Sequence, residues 1–410
     1  MNVLQDVDRI VQNAIQATAP DEAVRKALAY LPRPQGKTIL IAIGKAAWQM
    51  SASACDTLDN RIAEGLVVTK YGHSQGPIGD HKIIEAGHPV PDENSYLAAE
   101  EAIRLVEALG ENDLVLFLVS GGGSALFEKP LIPEEEIKDI TCQLLACGAN
   151  IIEINTLRKR LSAVKGGKFA KICEPAKVFS IVLSDVVGDP LDVIASGPAY
   201  PDASTCEQAI NIVKKYNLIL SQNAMRLLNE ETPKFLESVE THITGSVREL
   251  CDSAARTCKE LGYTPIILTD RLSCEAREAG SFLAAIAQYH AEAASSLAFI
   301  AGGETIVRLN GKGLGGRNQE LVLSAAAGIA GIKDCAVFSI DSDGTDGPTD
   351  AAGAVCTGES AEELARLGVD IYAALRDNDS YHALKRIGAL IVTGPTGTNV
   401  NDLSCVLVKR

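Results

Sequence analysis

No uninterrupted apolar run in the 410-residue chain approaches the roughly 20 residues that a membrane-spanning helix needs. Its mean hydropathy of +0.09 reflects Ala, Val, Ile and Leu spread through a globular sequence. There is no C-x-x-C pair, and the eleven cysteines are scattered and odd in number, which argues against a zinc ribbon and against a secreted disulfide framework. Most of them sit in apolar patterns, as small buried hydrophobes do. Met1 to Tyr30 carries acids throughout in place of a basic-then-apolar leader, so a cytoplasmic location is expected. Positive charge is scarce: 38 Lys and Arg stand against 53 Asp and Glu, a formal net charge of −15. That balance disfavours nucleic acid as a partner, and nothing points to a membrane. An acidic protein that handles anions has to build local positive sites, so those are the features to find.

The sequence also has no Pro-rich linker, no internal repeat and no low-complexity segment. Its length exceeds the roughly 250 to 300 residues at which single cores stop growing, so two domains and a cleft are expected. After an amphipathic helix predicted over about Asp6 to Ala29, Lys37 to Ile43 reads as a buried strand, and Gly44 leads into a helix from Lys45 to Leu58. Short apolar runs recur at Leu66 to Thr69, Lys82 to Glu85, Leu114 to Val119 and Val178 to Leu183, separated by helical patterns. Continuous apolar strands alternating with helices predict a parallel sheet covered on both faces. The texture changes near Leu236. A second set of strands is expected at Thr264 to Thr269, Leu297 to Ala301, Thr305 to Leu309, Cys335 to Ile340, Ala389 to Val392 and Cys405 to Val408. Thr305 to Leu309 follows its predecessor too closely for a helical crossover, which points to a mixed sheet. The expected fold is therefore α/β with two lobes: residues 1–236 as a Rossmann-like parallel-sheet domain, and 237–410 as a mixed-sheet α/β domain.

In such sheets ligands bind beyond the carboxyl ends of the strands, where glycine turns expose N–H groups. Five strand ends carry unusual residues. Lys45, after Gly44, is a cation expected in the first turn of a helix, where it opposes the macrodipole and can complement a bound anion; a solvated lysine is the plainer reading. Ser120, Gly121, Gly122, Gly123 and Ser124 follow a buried strand and can curl into a nest of N–H donors for a phosphate, or form an ordinary flexible loop. Asn155 to Lys168 is rich in Lys and Arg, and Arg158 offers a fork of donors for a carboxylate or phosphate unless it is salt-bridged on a surface helix. Gly166-Gly167-Lys168 is not a Walker loop, because no glycine lies five residues before Gly167 and Phe169 replaces the required Ser or Thr. Asp185 falls where a strand ends, a usual place for a catalytic carboxylate, and Asp189 precedes Pro190, where Asx-turn chemistry alone would account for it. In the second half Arg317 and Asn318 follow a glycine run, Asn318 as a candidate phosphate contact, while Glu304, Asp341, Asp343 and Asp346 follow predicted strands. Glu304, Asp343 and Asp346 are read as candidate ligands of a divalent cation, with turn residues as the alternative for Asp343. Gly311 to Gly316 spells G-x-G-x-x-G, a weak dinucleotide signal here because Arg317 opens the helix and the preceding strand is short.

Together, IAIGKAAWQM, VSGGGSALFEKP, NTLRKRLSAVKGGK, LSDVVGDPLDVIASGPAYPD, GGET, GKGLGGRNQE, SIDSDGTDGPTDAAGA, NDSYHAL and TGPTGTNVNDL resemble the glycerate 2-kinase family, the class with a C-terminal MOFRL domain, over roughly residues 37 to 403. The resemblance implies two α/β lobes with the active site in the cleft. It implies ATP- and Mg²⁺-dependent phosphorylation of D-glycerate to 2-phosphoglycerate, with Lys45 and Arg317 as essential cations. The strand-end position of Asp185 makes it, or a nearby carboxylate, the expected acceptor of the hydroxyl proton. Members are often labelled hydroxypyruvate reductase, so an NAD(P)-dependent reductase stays open, as does a non-catalytic sugar-phosphate-binding protein. Homo-oligomer formation is left open too. Phosphoryl transfer suits several anion sites and a carboxylate cluster, since it asks mainly for positioning and charge neutralisation.

Overall fold

A computed structural model of the chain describes residues 2–184, 188 and 191–410. Its contacts divide into two units, Ala23–Thr244 and the combination of residues 1–22 with Gly245–Arg410. The expected boundary at 236 placed the N-terminal helix with the first domain; its contacts place it with the second. That helix, Val3–Ala17, buries Val7, Ile10, Val11 and Ala14. Asp6 Oδ2 accepts from Tyr263 at 2.7 Å and pairs with Lys409 at 2.6 Å, and Ser253 donates to Asn13 O. The predicted single helix ends at Thr18, whose hydroxyl bonds back to Ile15 O, and a second one starts at Pro20, a residue suited to a first helical turn.

In the unit Ala23–Thr244, strands β1 (Thr38–Ile43), β2 (Glu64–Lys70), β3 (Lys82–Ala86), β4 (Leu114–Val119), β5 (Lys177–Leu183) and β6 (Val239–Thr244) form one parallel sheet in the order β3-β2-β1-β4-β5-β6. Every residue of TILIAI and LVLFLV is buried, as central strands covered on both faces require. Strand β6, VETHIT, is missing from the sequence-based strands because it is a half-exposed edge with no apolar run. Below the glycine loop after β4, Phe169 packs 5.0 Å from Phe117 and edge-on, 5.2 Å, from Phe127. Truncating Phe127 to Ala would cost about 3 to 5 kcal/mol and unseat that loop from its core.

The other unit holds a mixed sheet of β7 (Thr264–Leu272), β8 (Leu297–Gly303), β9 (Cys335–Asp341), β10 (Gly353–Thr357), β11 (Leu390–Ile391) and β12 (Asp402–Val408), ordered β11-β10-β9-β12-β8-β7. The sheet is mixed as expected, but for another reason. Thr305 to Leu309 forms no strand and makes a single bridge, Ile306 to Glu275. The antiparallel character comes from β10 beside β9 and from β12 between β8 and β9. Cys173, Cys251, Cys258, Cys335, Cys356 and Cys405 are buried and free, as their apolar patterns suggested. Among the described residues no helix is long and apolar enough to cross a membrane.

Candidate functional site

The strand order of the parallel sheet reverses between β1 and β4, the position at which open α/β sheets form their ligand crevice. The two loops flagged by the sequence leave from these two strands. They are stitched together: Lys45 N–H donates to Gly121 O at 2.8 Å, Ala46 N–H to Ser120 Oγ at 3.1 Å, and Ser120 N–H to Ile43 O at 2.9 Å. Lys45 stands in the turn before the helix Ala47–Leu58, so the macrodipole argument for it is corrected to one of position in the crevice. Gly122 has φ +86°, and a Cβ there would lie 3.1 Å from His88 Cδ2 and 3.2 Å from Lys45 Cγ, so only glycine lets the loop pass between these side chains. Burial, then the charges of Lys45, Lys70 and His73, hold the His88 imidazole below its ordinary pKa. Sequence reasoning missed His88; its neighbours come from β1, β2 and the glycine loop, and no local pattern marks it.

Gly123 and Ser124 open the short helix Gly123–Leu126. Ser124 Oγ lies 2.9 Å from Ser196 Oγ, which donates to Asn155 Oδ1 at 3.3 Å. Ala195 and Ser196 have φ +51° and +61°, left-handed conformations that side chains rarely adopt, and the turn is held by Gly166 N–H on Ser196 O and Gly167 N–H on Gly197 O. Gly166 and Gly167 thus brace this turn. Arg158 reaches Ser124 O at 3.4 Å and lies 3.8 Å from Glu128, beside the same loop. The other cations of that basic stretch are engaged within the fold: Lys159 with Asp192 and Asp202, Arg160 with Asp202 and Glu231, Lys165 with Glu128, and Lys168 with the carbonyls of Arg160 and Ser162. Burial pushes the Lys165 ammonium down to about 8 despite Glu128. Asp185 and Asp189 lie outside the described residues.

In the mixed-sheet unit Arg317 opens the helix Arg317–Gly328. Its Nε donates to Asp402 Oδ2 at 2.6 Å, and Nη2 donates to Asp402 Oδ1 at 2.9 Å and to Asp341 Oδ2 at 2.8 Å. Nη1 lies 3.4 Å from Glu304, whose side chain is 51 % exposed. Burial opposes the Arg317 charge, but Asp402, Asp341 and Glu304 hold the guanidinium above its ordinary pKa. Burial raises both the Asp341 and the Asp402 carboxyl, helped at Asp341 by the charges of Asp402 and Asp343 and at Asp402 by that of Asp346. Asp402 was missed as a site residue. Register pairs it with both Asp341 and Gly303, and the one local signal is a carboxylate placed directly before a buried apolar run.

The carboxylates read as metal ligands do not gather. Asp346 is buried, with Oδ1 accepting from Asn318 N–H and Oδ2 from Gln319 N–H, so it caps the helix that Arg317 begins. Gly316 is required for this approach, because a Cβ there would collide with the Asp346 carboxyl. Asn318, proposed as a phosphate ligand, is wholly buried, and its amide donates to Asp346 and Asp402 and accepts from Ser339: it positions the acids. Asp343 Oδ1 accepts from Thr345 N–H at 2.7 Å, the turn chemistry weighed for it. Among the described residues no three His, Cys, Asp or Glu are grouped to hold a metal. The G-x-G-x-x-G loop is also engaged. Asn310 and Gly311 N–H donate to Asn378 Oδ1, Lys312 N–H to Asp377 Oδ1, and Leu314 N–H to Asp379 Oδ1. Those donors brace the NDSYHAL segment.

Residues 6–229 match the family described as Domain of unknown function (DUF4147), and residues 297–402 match the MOFRL family. The chain is 52% identical over 405 residues to a D-glycerate 2-kinase of Thermotoga maritima, covering 97% of each sequence. It is 39% identical to a putative hydroxypyruvate reductase of Agrobacterium vitis, covering 98% of this chain and 94% of that one. The crystal structure of a Thermotoga maritima glycerate kinase superposes with a TM-score of 0.94 at 51% identity, over 98% of this chain and 99% of that chain. With two domain matches in the expected order and relatives aligned from end to end, the chain belongs to the glycerate 2-kinase family.

Proposed function

We propose that the protein transfers the γ-phosphoryl group of ATP to the 2-hydroxyl of D-glycerate, giving 2-phosphoglycerate. The observation that carries this reading is the stitched pair of loops at the strand-order reversal, with Lys45 and His88 flanking Gly122. Phosphoryl transfer needs positive charge and N–H donors around phosphate oxygens, and little covalent help from the protein. Lys45 and the loop Ser120 to Ser124 are the proposed phosphate contacts, with Arg158 beside them. Arg317 is the proposed second cation, held in place by Asp402 and Asp341. Asp185, two residues past the end of β5 in sequence, is the proposed acceptor of the hydroxyl proton.

Magnesium is expected to arrive on the phosphates of ATP. The described residues offer no three-carboxylate cage, and Mg²⁺ in such enzymes is usually held by substrate phosphates, waters and one or two carboxylates. Glu304 and Asp343 are the carboxylates proposed for that contact, Asp346 being engaged as a cap. Hydride transfer finds less support, since the one loop that spells a dinucleotide motif has its N–H groups bonded to Asp377, Asn378 and Asp379.

A coupled ADP-release assay with D-glycerate, run beside NADH oxidation with hydroxypyruvate, tests the assignment. ADP release dependent on D-glycerate is expected. Phosphorus NMR of the product should show coupling to one proton, the signature of a 2-phosphate; coupling to two protons would move the phosphate to the 3-position. NADH oxidation without ADP release would replace the kinase with a reductase.

A further inference from the structure

A cavity of about 590 Å³ opens in the Ala23–Thr244 unit, lined by the helix Ile151–Leu161, the helix Cys206–Tyr216 and the segment between residues 192 and 204. Its volume is within the range of small-molecule sites and far exceeds what a three-carbon acid fills. Ile152, Val193 and Ile212 give it aliphatic walls, and Ile152 is 67 % exposed, an apolar surface left open at its rim. Gln208 and Asn211, one turn apart on the second helix, supply amides.

The charges in this cavity cancel. Lys159 lies 3.2 Å from both Asp192 and Asp202, and Lys215 lies 2.7 Å from Glu153, so both lining lysines are neutralised by carboxylates. The cavity therefore suits an uncharged, partly apolar group. The cations stand elsewhere, in the crevice at Lys45 with Lys70 nearby. The two places are linked by Asn155, which lines the cavity and bonds through Ser196 to Ser124 of the glycine loop.

We propose that this cavity seats the nucleoside moiety, base and ribose, of the phosphoryl donor, with the phosphates directed past Asn155 toward the Ser120 to Ser124 loop. The aliphatic walls take the faces of the base and the amides its edge. The assignment rests on the kinase reading, and the test separates the two. Asn211→Trp adds bulk from an exposed helix position outside the proposed phosphate contacts. It should raise the KM for ATP at least tenfold and leave the KM for D-glycerate unchanged, while inhibition by inorganic tripolyphosphate, which has no nucleoside, stays as in wild type. An unaltered KM for ATP in Asn211→Trp overturns the proposal. Photolabelling of the unmodified protein with 8-azido-ATP is a second measurement that no folding defect can confound. Label within residues 151–161 or 192–216 supports the seat, and label confined elsewhere overturns it. Wild-type protein that takes up the label there yet releases no ADP with D-glycerate would sink the kinase reading and leave the nucleoside seat standing.

Discussion

Arg317 meets Asp402 side-on, with Nε 2.6 Å from Oδ2 and Nη2 2.9 Å from Oδ1, the two bonds of a guanidinium–carboxylate fork. The same Nη2 also reaches Asp341. The bidentate edge of this arginine is thus committed within the protein, which leaves Nη1, whose neighbour is Glu304, as the nitrogen to face a phosphate. Asp402 and Asp341 aim the cation, and Asn318 in turn holds Asp402.

Arg317→Lys should therefore damage both aim and fold. An ammonium cannot span both Asp402 oxygens and Asp341 at once, and Asp402 is almost wholly buried. We expect kcat to fall more than tenfold, about 1.4 kcal/mol or more, together with a lower denaturant midpoint. Steady-state kinetics and urea unfolding check this; a lysine variant with more than a tenth of wild-type kcat and an unchanged midpoint would show that simple charge suffices.

The crevice was legible because its signals are local. TILIAI and LVLFLV each end in a glycine-bearing turn, and a parallel sheet places both turns on one rim. The Arg317 cluster was half legible. Asp341 follows a recognisable strand, but Asp402 comes to it through the insertion of β12 between β8 and β9, a pairing that no local pattern specifies. Asp346 looked like a metal ligand for the same reason that it makes a good cap: it is a carboxylate after a strand. Which of the two it becomes depends on Asn318 and Gln319 facing it, and that is tertiary information.

Asp346→Asn tests the cap. Each carboxylate oxygen accepts a backbone N–H, so an amide must turn its NH₂ toward one of those donors. Leaving that buried pair unsatisfied should cost about 1 to 3 kcal/mol, read as a lower denaturant midpoint. Unchanged stability combined with a raised requirement for Mg²⁺ would return Asp346 to the metal.

His88 should couple donor affinity to pH. Burial, Lys45, Lys70 and His73 lower its folded pKa, so without ligand its contribution to stability is present above the unfolded value of about 6.5 and is lost as pH falls through the folded one. A bound polyphosphate reverses the sign, because the imidazolium then faces negative charge. The KM for ATP should accordingly fall more steeply with decreasing pH in wild type than in His88→Gln, a comparison in which protonation of ATP itself cancels. Parallel pH profiles for the two proteins would remove His88 from the phosphate site.

Lys45→Ala is the sharpest test of the crevice. The backbone at Lys45 is fixed independently of its side chain: N–H donates to Gly121 O, while the carbonyl accepts from Thr69 Oγ1 at 3.3 Å and lies 3.2 Å from His73 Nδ1. Truncation to Ala keeps these bonds and removes only the stem beside Gly122 and its charge. We expect kcat/KM for D-glycerate to drop at least 100-fold, about 3 kcal/mol of transition-state stabilisation, with little change in the thermal midpoint. Gly122→Val should act differently. It strains a left-handed backbone and pushes a side chain against Lys45 and His88, so the KM for ATP should rise or activity vanish while the ammonium itself is retained. Near-normal turnover by folded Lys45→Ala protein would take the cation out of the chemistry, and wild-type nucleotide binding by Gly122→Val would take the loop out of the phosphate site. If both losses appear together, on kcat/KM for the first variant and on donor KM for the second, a lysine aimed at the transferring group and a loop that cradles its phosphates account for the division.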